Sequence, residues 1–317
     1  MGVPRFSVIV PAYNASVTIA QTLDGVLAQR FSDWECVVVD DGSTDGTASI
    51  TQTYVDRDSR FRLIRQANAG CAGAYRTGIQ HAVADLLVIC AADDFLLPEH
   101  MMVMDRLASS HPETDIFSCN GEYLFEQTGF RRLVYQTPEW SEERSLSFEQ
   151  VVEACFFSVG AVLRRSVYDL TGGHRPGVYV DDYDLWLRAM ARGARHWYTP
   201  EVLAVHRISD FQQTADLVRV YESNSAVLKN LINEGLVTGS RASAVEAAIA
   251  VNRDQVVEEM ARLGLAKQGD GLRKSATKVL GRRGANVFMR AVHLLSWASR
   301  PARRVILRRR ARRSSGV

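Results

Sequence analysis

Three runs of apolar, largely β-branched residues stand out in the N-terminal part of the chain: Phe6-Ser7-Val8-Ile9-Val10, Cys36-Val37-Val38-Val39 and Leu86-Leu87-Val88-Ile89-Cys90. Short, nearly uninterrupted runs suit parallel strands covered on both faces, whereas a strand with one wet face alternates. Between the first two, apolar residues recur at helical intervals from Val17 to Leu27, with Ser16 as the expected N-cap. The pattern predicts strand, helix, strand, helix, strand, an α/β chain with a parallel sheet. Beyond about residue 215, Val218, Tyr221, Val227-Leu228 and Leu231-Ile232, then Val245, Ala248-Ile249, Val256-Val257 and Met260, keep helical spacing. They predict two or three amphipathic helices, with Gly235 and Gly239 marking a break.

The polar positions gather where the apolar runs stop. Asp40-Asp41-Gly42-Ser43 and Ala92-Asp93-Asp94-Phe95 each follow one, and Val180-Asp181-Asp182-Tyr183-Asp184 forms a third acidic cluster. Carboxylates at the ends of buried strands are costly unless a cation, a donor or a proton compensates them. In open α/β sheets, ligands bind outside the carboxyl ends of the strands. A carboxylate in residues 40–45 suits a hydrogen bond from a nucleobase imino group or a ribose hydroxyl. The same residues also favour a turn with Ser43 or Asp45 capping a helix, and both readings stand. Asp93 and Asp94 would repel each other unless one is protonated or a cation lies between them and a ligand. Oxygen ligands of this kind suit Mg²⁺ or Mn²⁺, which also contacts diphosphate oxygens, while a capping role for Asp94 is the alternative.

Composition changes this picture little: 317 residues, 46% hydrophobic and 23% charged, describe an ordinary globular protein. The cysteines Cys36, Cys71, Cys90, Cys119 and Cys155 are odd in number and follow no Cys-x-x-Cys pattern, so they are expected to be reduced core thiols. No stretch reads as a signal peptide or approaches the ~20 apolar residues of a spanning helix. The expected location is cytoplasmic, peripheral on the inner face of the cell membrane.

Charge adds more. The whole chain carries +2, yet residues 271–317 contain fourteen Lys and Arg and no Asp or Glu, leaving −12 on the rest. Within this tail Phe288, Ala291, Val292, Leu295 and Ala298 recur at helical spacing, with Leu294 and Trp297 beside them and Pro301 at the end. A basic amphipathic helix followed by polyarginine fits an anionic membrane surface, where each Arg contributes on the order of 1 kcal/mol. Packing of the helix on the body is the alternative. Nucleic acid ranks lowest, because no aromatic reader motif accompanies the arginines. The expected organisation is a catalytic domain over 1–215, a helical extension over 216–270 and the basic tail over 271–317.

Several of these motifs occur in the order and spacing of a known family. Ser7-Val8-Ile9-Val10-Pro11-Ala12-Tyr13-Asn14, Val38-Val39-Asp40-Asp41-Gly42-Ser43-Thr44-Asp45-Gly46-Thr47, Asn68-Ala69-Gly70, Ala92-Asp93-Asp94 and Asp181-Asp182-Tyr183-Asp184-Leu185-Trp186-Leu187-Arg188 resemble family 2 glycosyltransferases across roughly residues 5–210. The resemblance implies a GT-A fold, with a nucleotide-binding half and an acceptor-binding half around one continuous mixed sheet. It implies inverting transfer from a nucleotide-diphosphate sugar with Mg²⁺ or Mn²⁺. Tyr13 matches a base-stacking position and Asp41 a base-bonding one, and Pro11, Asn14, Asn68 and Arg76 fall in the donor-binding motifs. Asp93 and Asp94 match the metal and ribose carboxylates of the DxD element, and Asp182 the catalytic base.

The chain departs from the family pattern in places. Ala91 replaces the first Asp of the common Asp-x-Asp-Asp form. Asp181 replaces the usual Glu before the base, which makes it the second candidate for that role. Ala74-Tyr75-Arg76-Thr77-Gly78 matches Ala-Arg-Asn-x-Gly poorly, so Arg76 faces either the diphosphate or solvent. In Val205-His206-Arg207-Ile208-Ser209, His206 is the candidate for completing the metal shell; in another register Arg207 matches the family arginine and Ser209 the histidine. Residues 158–166 and Thr171-Gly172-Gly173-His174 resemble the segment lining the acceptor pocket. Trp140, Trp186 and Trp197 are candidates for stacking on sugars, Trp186 being better placed for the core.

The chemistry supports these roles independently. An attacking hydroxyl must lose its proton, for which a carboxylate in hydrogen-bond reach is competent, and the leaving diphosphate gains charge that a divalent cation neutralises. The expected acceptor is a lipid-linked or cell-envelope glycan. A nucleotidyltransferase would also use paired carboxylates, but it calls for a glycine-rich basic loop that Pro11-Ala12-Tyr13-Asn14 does not provide. A silent sugar-nucleotide-binding scaffold would have little need of Asp93, Asp94 and Asp182 together.

Overall fold

A computed structural model describes residues 2–154, 159–208 and 217–266. The elements run β1 (Phe6–Ala12), α1 (Ile19–Leu27), β2 (Trp34–Asp40), α2 (Thr47–Arg57), β3 (Phe61–Arg65), α3 (Gly70–His81), β4 (Leu86–Ile89), β5 (Phe95–Leu96) and α4 (His100–Ser110). They continue with β6 (Ile116–Phe125), β7 (Phe130–Leu133), β8 (Arg144–Leu146), α5 (Phe148–Ala154), β9 (Val162–Arg164), α6 (Arg165–Thr171), α7 (Asp181–Ala191), β10 (His196–Ile208), α8 (Leu217–Asn233) and α9 (Gly239–Ala266). No helix among the described residues is long and apolar enough to cross a membrane.

The strands form one mixed sheet in the order β3-β2-β1-β4-β9-β6-β10-β5, with β7 on β6 and β8 on β10. β3, β2, β1 and β4 are parallel. β9 runs antiparallel between β4 and β6, joining the parallel half to the β6–β10 half. Every residue of β1 and β2 is buried, which explains their unbroken apolar runs. β1 lies between β2 and β4, where the strand order reverses, and such a switch point opens a crevice at the strands' carboxyl ends.

The helices against the sheet fit at close range. On α3, a Cβ at Gly78 would lie 2.5 Å from Ile9 Cγ2, so glycine alone permits this approach. His100 at the start of α4 is fully buried, and its Nε2 lies 2.7 Å from the Gly160 carbonyl. Burial pushes its pKa down to about 4, so it is a neutral structural histidine donating that bond.

The helix over 17–27 begins later than expected. Thr18, not Ser16, is the N-cap residue, and Ser16 instead donates its backbone N–H to Asp45 across to the next loop. That tertiary bond removes Ser16 from the helix. Asp45 holds the start of α2 by accepting from Thr47 N–H and Thr47 Oγ1 at 3.0 and 2.5 Å. Among the cysteines, Cys36, Cys90 and Cys119 are free and buried as expected, but Cys71 is exposed, a correction considered below. Cys155 lies outside the described residues.

The described chain divides into two compact units, one of residues up to 208 with 226–248, the other of 217–225 with 249–266. The second is helical. The predicted break is real: Gly235 at φ 68° ends α8, with its N–H on the Ile232 carbonyl and that of Leu236 on the Leu231 carbonyl. The basic helix expected within 271–317 lies outside the described residues, as do Ser158 and Ser209.

Candidate active site

The loops after β1 and β2 form one wall of the crevice and are tied to each other. Asn14 donates its N–H to Ser43 Oγ at 3.0 Å, and its Oδ1 accepts from Thr44 N–H at 2.9 Å. It does so at φ 49°, a conformation that Asn tolerates better than most residues. Pro11 is buried in β1, and Tyr13 stands 54% exposed just past it, a free aromatic face at the crevice mouth. Asp40 and Asp41 separate in role. Asp40 is fully buried and spent on the Ser43 N–H and Arg65. Asp41, also buried, donates its N–H to the Ala12 carbonyl and accepts from Gln66 Nε2 and Ala69 N–H, both on Oδ1. Asn68, in the same loop, is exposed and accepts from Gly70 N–H.

The turn after β4 carries the second acidic pair. The Thr22 hydroxyl of α1 lies 2.9 Å from the Ala92 carbonyl and 2.6 Å from that of Asp94, which pins the turn. Asp94 is buried, with His206 Nδ1 at 2.9 Å and the Arg207 N–H at 3.0 Å, both on Oδ1. Burial raises its pKa, while His206 and the Arg207 amide work in the opposite direction. His206 is disfavoured as a cation by burial, but Asp94, then Asp93 and Asp182, outweigh that and hold its pKa above the ordinary value. Arg207 clasps the same turn through Nε to the Asp93 carbonyl, and its guanidinium reaches Glu126 and Gln21. In sequence Arg207 stands only as an alternative register; in the structure both residues act on the pair, His206 by side chain and Arg207 mainly by backbone and clasp.

The third cluster opens α7. Asp182 is half-buried and accepts from Tyr183 N–H at 2.7 Å. Asp181 is buried, accepts from Asp182 N–H on Oδ1, and keeps Oδ2 buried without a partner. Burial and then the Asp182 charge push its pKa up to about 7. Cys71 reaches solvent yet is held protonated by desolvation and by the carboxylates of Asp181, Asp182 and Asp93. The sequence marks it only as a thiol; its place directly after Asn68-Ala69-Gly70 is the available signal.

A buried ion pair fixes the turn that leads to α7. Arg188, fully buried, donates to Asp184 Oδ2 and, through its two terminal nitrogens, to the Thr171 carbonyl at 2.6 Å and the Gly173 carbonyl at 2.7 Å. Gly173 sits at φ 73°, and a Cβ there would lie 2.5 Å from the Tyr168 ring. His174 is buried in a parallel stack on Tyr75 at 4.6 Å. Burial, Arg188 and Arg76 push its pKa down to about 3, so it is neutral. Arg76 itself is exposed and acts on Tyr168 and His174.

Three segments distant in sequence therefore meet electrostatically at His206, on which Asp94, Asp93 and Asp182 all act. Asp41, Tyr13 and Asn14 line the β1–β2 wall. Among the described residues, no three His, Cys, Asp or Glu side chains converge tightly enough to hold a metal by themselves. Of the tryptophans, Trp186 is fully buried core, Trp197 stacks on His111 at 3.8 Å and Trp140 on Tyr135 at 4.3 Å.

Comparison with known proteins bears on this geometry. Residues 7–171 match the family described as Glycosyl transferase family 2. The chain is 32% identical to the uncharacterized glycosyltransferase EpsJ of Bacillus subtilis over 151 residues, 48% of this chain and 42% of EpsJ. It is 28% identical to the succinoglycan biosynthesis protein ExoU of Rhizobium meliloti over 277 residues, 78% of this chain and 73% of ExoU. The chain thus spans about two fifths of the length of EpsJ, and 37% of the putative glycosyltransferase EpsH of Bacillus subtilis. In fold it is similar to S. aureus TarS in complex with UDP-GlcNAc, at TM-score 0.66 and 17% identity over 91% of this chain and 81% of the other. It is likewise similar to the mannosyltransferase PcManGT of Pyrobaculum calidifontis with GDP-Man and Mn²⁺, at TM-score 0.59 and 20% identity over 90% and 87%. The expected GT-A architecture is the one found.

Proposed function

The chain belongs to glycosyl transferase family 2, and from that premise we propose that it moves one sugar from a nucleotide-diphosphate donor to a hydroxyl of a lipid-linked or cell-envelope glycan, with inversion. The observation that carries this reading is the action of Asp94, Asp93 and Asp182 together on His206 beside the β1–β2 wall. Tyr13 offers a face for the base, and Asp41, with both internal bonds on Oδ1, offers Oδ2 to it.

Asp182 takes the acceptor proton. It stands at the start of α7, half-buried, with one oxygen oriented by Tyr183 N–H. A carboxylate base of this kind contributes about a hundredfold to ten-thousandfold. Asp181, with its pKa pushed up to about 7 by burial and Asp182, holds a proton of its own below that pH and then has no free carboxylate to take one from the acceptor.

The donor set fits Mg²⁺ or Mn²⁺, hard cations that take carboxylate oxygen and, for Mn²⁺, imidazole. Asp93 and His206 Nε2 would hold the ion together with the diphosphate, which accounts for a site without three converging protein ligands. Asp94, bonded to His206 Nδ1 and the Arg207 N–H, orients that imidazole from behind. Bound there, the ion would neutralise charge on the leaving diphosphate. The family likeness to ExoU and the donors held by TarS and PcManGT support a sugar nucleotide and an envelope or exopolysaccharide product. The basic tail over 271–317 would hold the enzyme on the anionic inner membrane surface, close to lipid-linked acceptors.

The test is thermal stabilisation across nucleotide sugars, UDP-GlcNAc and GDP-mannose included, each with and without Mn²⁺. Ligand at a hundred times its dissociation constant adds about 2.7 kcal/mol. A Mn²⁺-dependent shift with one donor is expected. No shift with any donor would leave the silent scaffold as the better description.

A further inference from the structure

Cys71 is an exposed thiol at the second position of α3, where a Cβ added at the preceding Gly70 would meet nothing within 4 Å. The start of α3 therefore faces open space. Into that region points the field of three carboxylates: Asp181 foremost, then Asp182 and Asp93, act on the Cys71 thiol. Asp181 is only 9% exposed, and its Oδ2 is buried with no hydrogen-bond partner. A buried carboxylate oxygen without a donor is costly, so such an atom marks a place where a ligand supplies one.

The position of this pair relative to the chemistry identifies the ligand group. On the reading given above, on which this inference rests, the diphosphate lies at Asp93 and the attacking hydroxyl at Asp182. In a single displacement the transferred sugar lies between the leaving and attacking oxygens. A side chain under the influence of both carboxylates lies alongside that sugar. We propose that Cys71 and Asp181 line the donor-sugar subsite, the thiol packing against the sugar ring and Asp181 Oδ2 hydrogen-bonding a ring hydroxyl. The pair selects the sugar of the donor, whereas the nucleotide is read at Tyr13 and Asp41.

The experiment measures the rate at which methyl methanethiosulfonate modifies Cys71 in the full chain, followed on the Cys71 peptide by mass spectrometry. It is run with Mn²⁺ and either the free nucleoside diphosphate or the nucleotide sugar that raises the melting temperature. At ten times its dissociation constant the nucleotide sugar should slow modification about tenfold by occupancy, and the nucleoside diphosphate by less than about threefold. The Cys71→Phe variant, which places bulk on an exposed position, should weaken nucleotide-sugar binding about tenfold or more while leaving nucleoside-diphosphate binding within about threefold. A nucleotide sugar that binds without protecting Cys71, equal protection by both ligands, or unchanged binding by Cys71→Phe would each overturn the subsite. If no nucleotide sugar binds at all, the glycosyltransferase reading itself falls, and the subsite with it.

Discussion

His206 presents Nδ1 to Asp94 Oδ1 at 2.9 Å, and the Arg207 amide meets the same oxygen at 3.0 Å. Two consecutive residues of β10 thus close on one carboxylate from the turn after β4, more than a hundred residues away. The arrangement fixes the imidazole plane and, on the proposed reading, leaves Nε2 as the atom that would coordinate the metal. Asp94→Asn should therefore weaken Mn²⁺ about ten- to a hundredfold without removing the site, as loss of an orienting partner does elsewhere. Asp93→Asn should weaken it more. Mn²⁺ titrations of the melting temperature at saturating nucleotide sugar separate the two, and equal effects would return Asp94 to direct coordination.

Asp182→Asn keeps the shape of the start of α7 and removes the proposed proton acceptor. The transfer rate should fall by about a hundredfold or more, with nucleotide-sugar affinity within about threefold of the parent. Near-normal turnover in Asp182→Asn, with loss in Asp181→Asn, would reassign the base to Asp181. Donor binding by calorimetry and product formation by mass spectrometry distinguish these outcomes.

Arg188 donates to Asp184 and to the carbonyls of Thr171 and Gly173 with no exposed surface. Its removal in Arg188→Leu strands a buried carboxylate and two carbonyls, and Arg175, at 3.7 Å from Asp184, replaces little of this. The expected loss is about 3–5 kcal/mol in urea denaturation. Replacing both partners, with Asp184→Leu added, should recover part of that loss because no unpaired charge stays buried.

Much of the crevice that holds the candidate site was legible because strand ends announce themselves. β1, β2 and β4 are covered on both faces, so their sequences are continuous apolar runs, and the polar residues that break them necessarily stand at the crevice. The second half of the sheet was not legible. β5, of two residues, and β9, of three, are too short to carry a period, and β10 mixes Thr199, Pro200, Glu201 and Arg207 into a strand with register shifts. Ser16 reads as a cap locally, but a bond from its N–H to Asp45 on another loop overrides that preference. The division of labour between Asp40 and Asp41, or between Asp93 and Asp94, depends on which oxygen meets which distant donor. Arg65, Gln66 and His206 supply those donors from other segments, and spacing along the chain does not encode them.

The basic tail makes a prediction independent of the catalytic residues. With fourteen cationic side chains and no acidic one over 271–317, the full chain should float with vesicles containing phosphatidylserine or phosphatidylglycerol and not with neutral ones. Binding should fall as salt rises from about 0.1 M to about 1 M, where the Debye length shrinks from about 10 Å to about 3 Å. A chain ending at Asp270 should stay soluble and fail to float with either kind of vesicle. Equal flotation of both chains would place the contact elsewhere.

Asp181 gives a pH dependence of definite sign. Unfolded, its carboxyl titrates near the ordinary aspartate value of 3.8; folded, burial and Asp182 raise it to about 7. Between those values the folded state holds a proton that the unfolded state has released, so stability falls as pH rises from about 4 to about 7 and is level above. A rise of that size costs the folded state at most about 4 kcal/mol once the pH exceeds both values. Asp181→Asn, which cannot ionise, should be more stable than the parent at pH 8, and the advantage should vanish by pH 4. Urea denaturation of both chains at the two pH values measures the difference directly. An advantage of the same size at pH 4 and pH 8 would show that shape, not ionisation, distinguishes the variant, and that the Asp181 carboxyl is not strained by its charge.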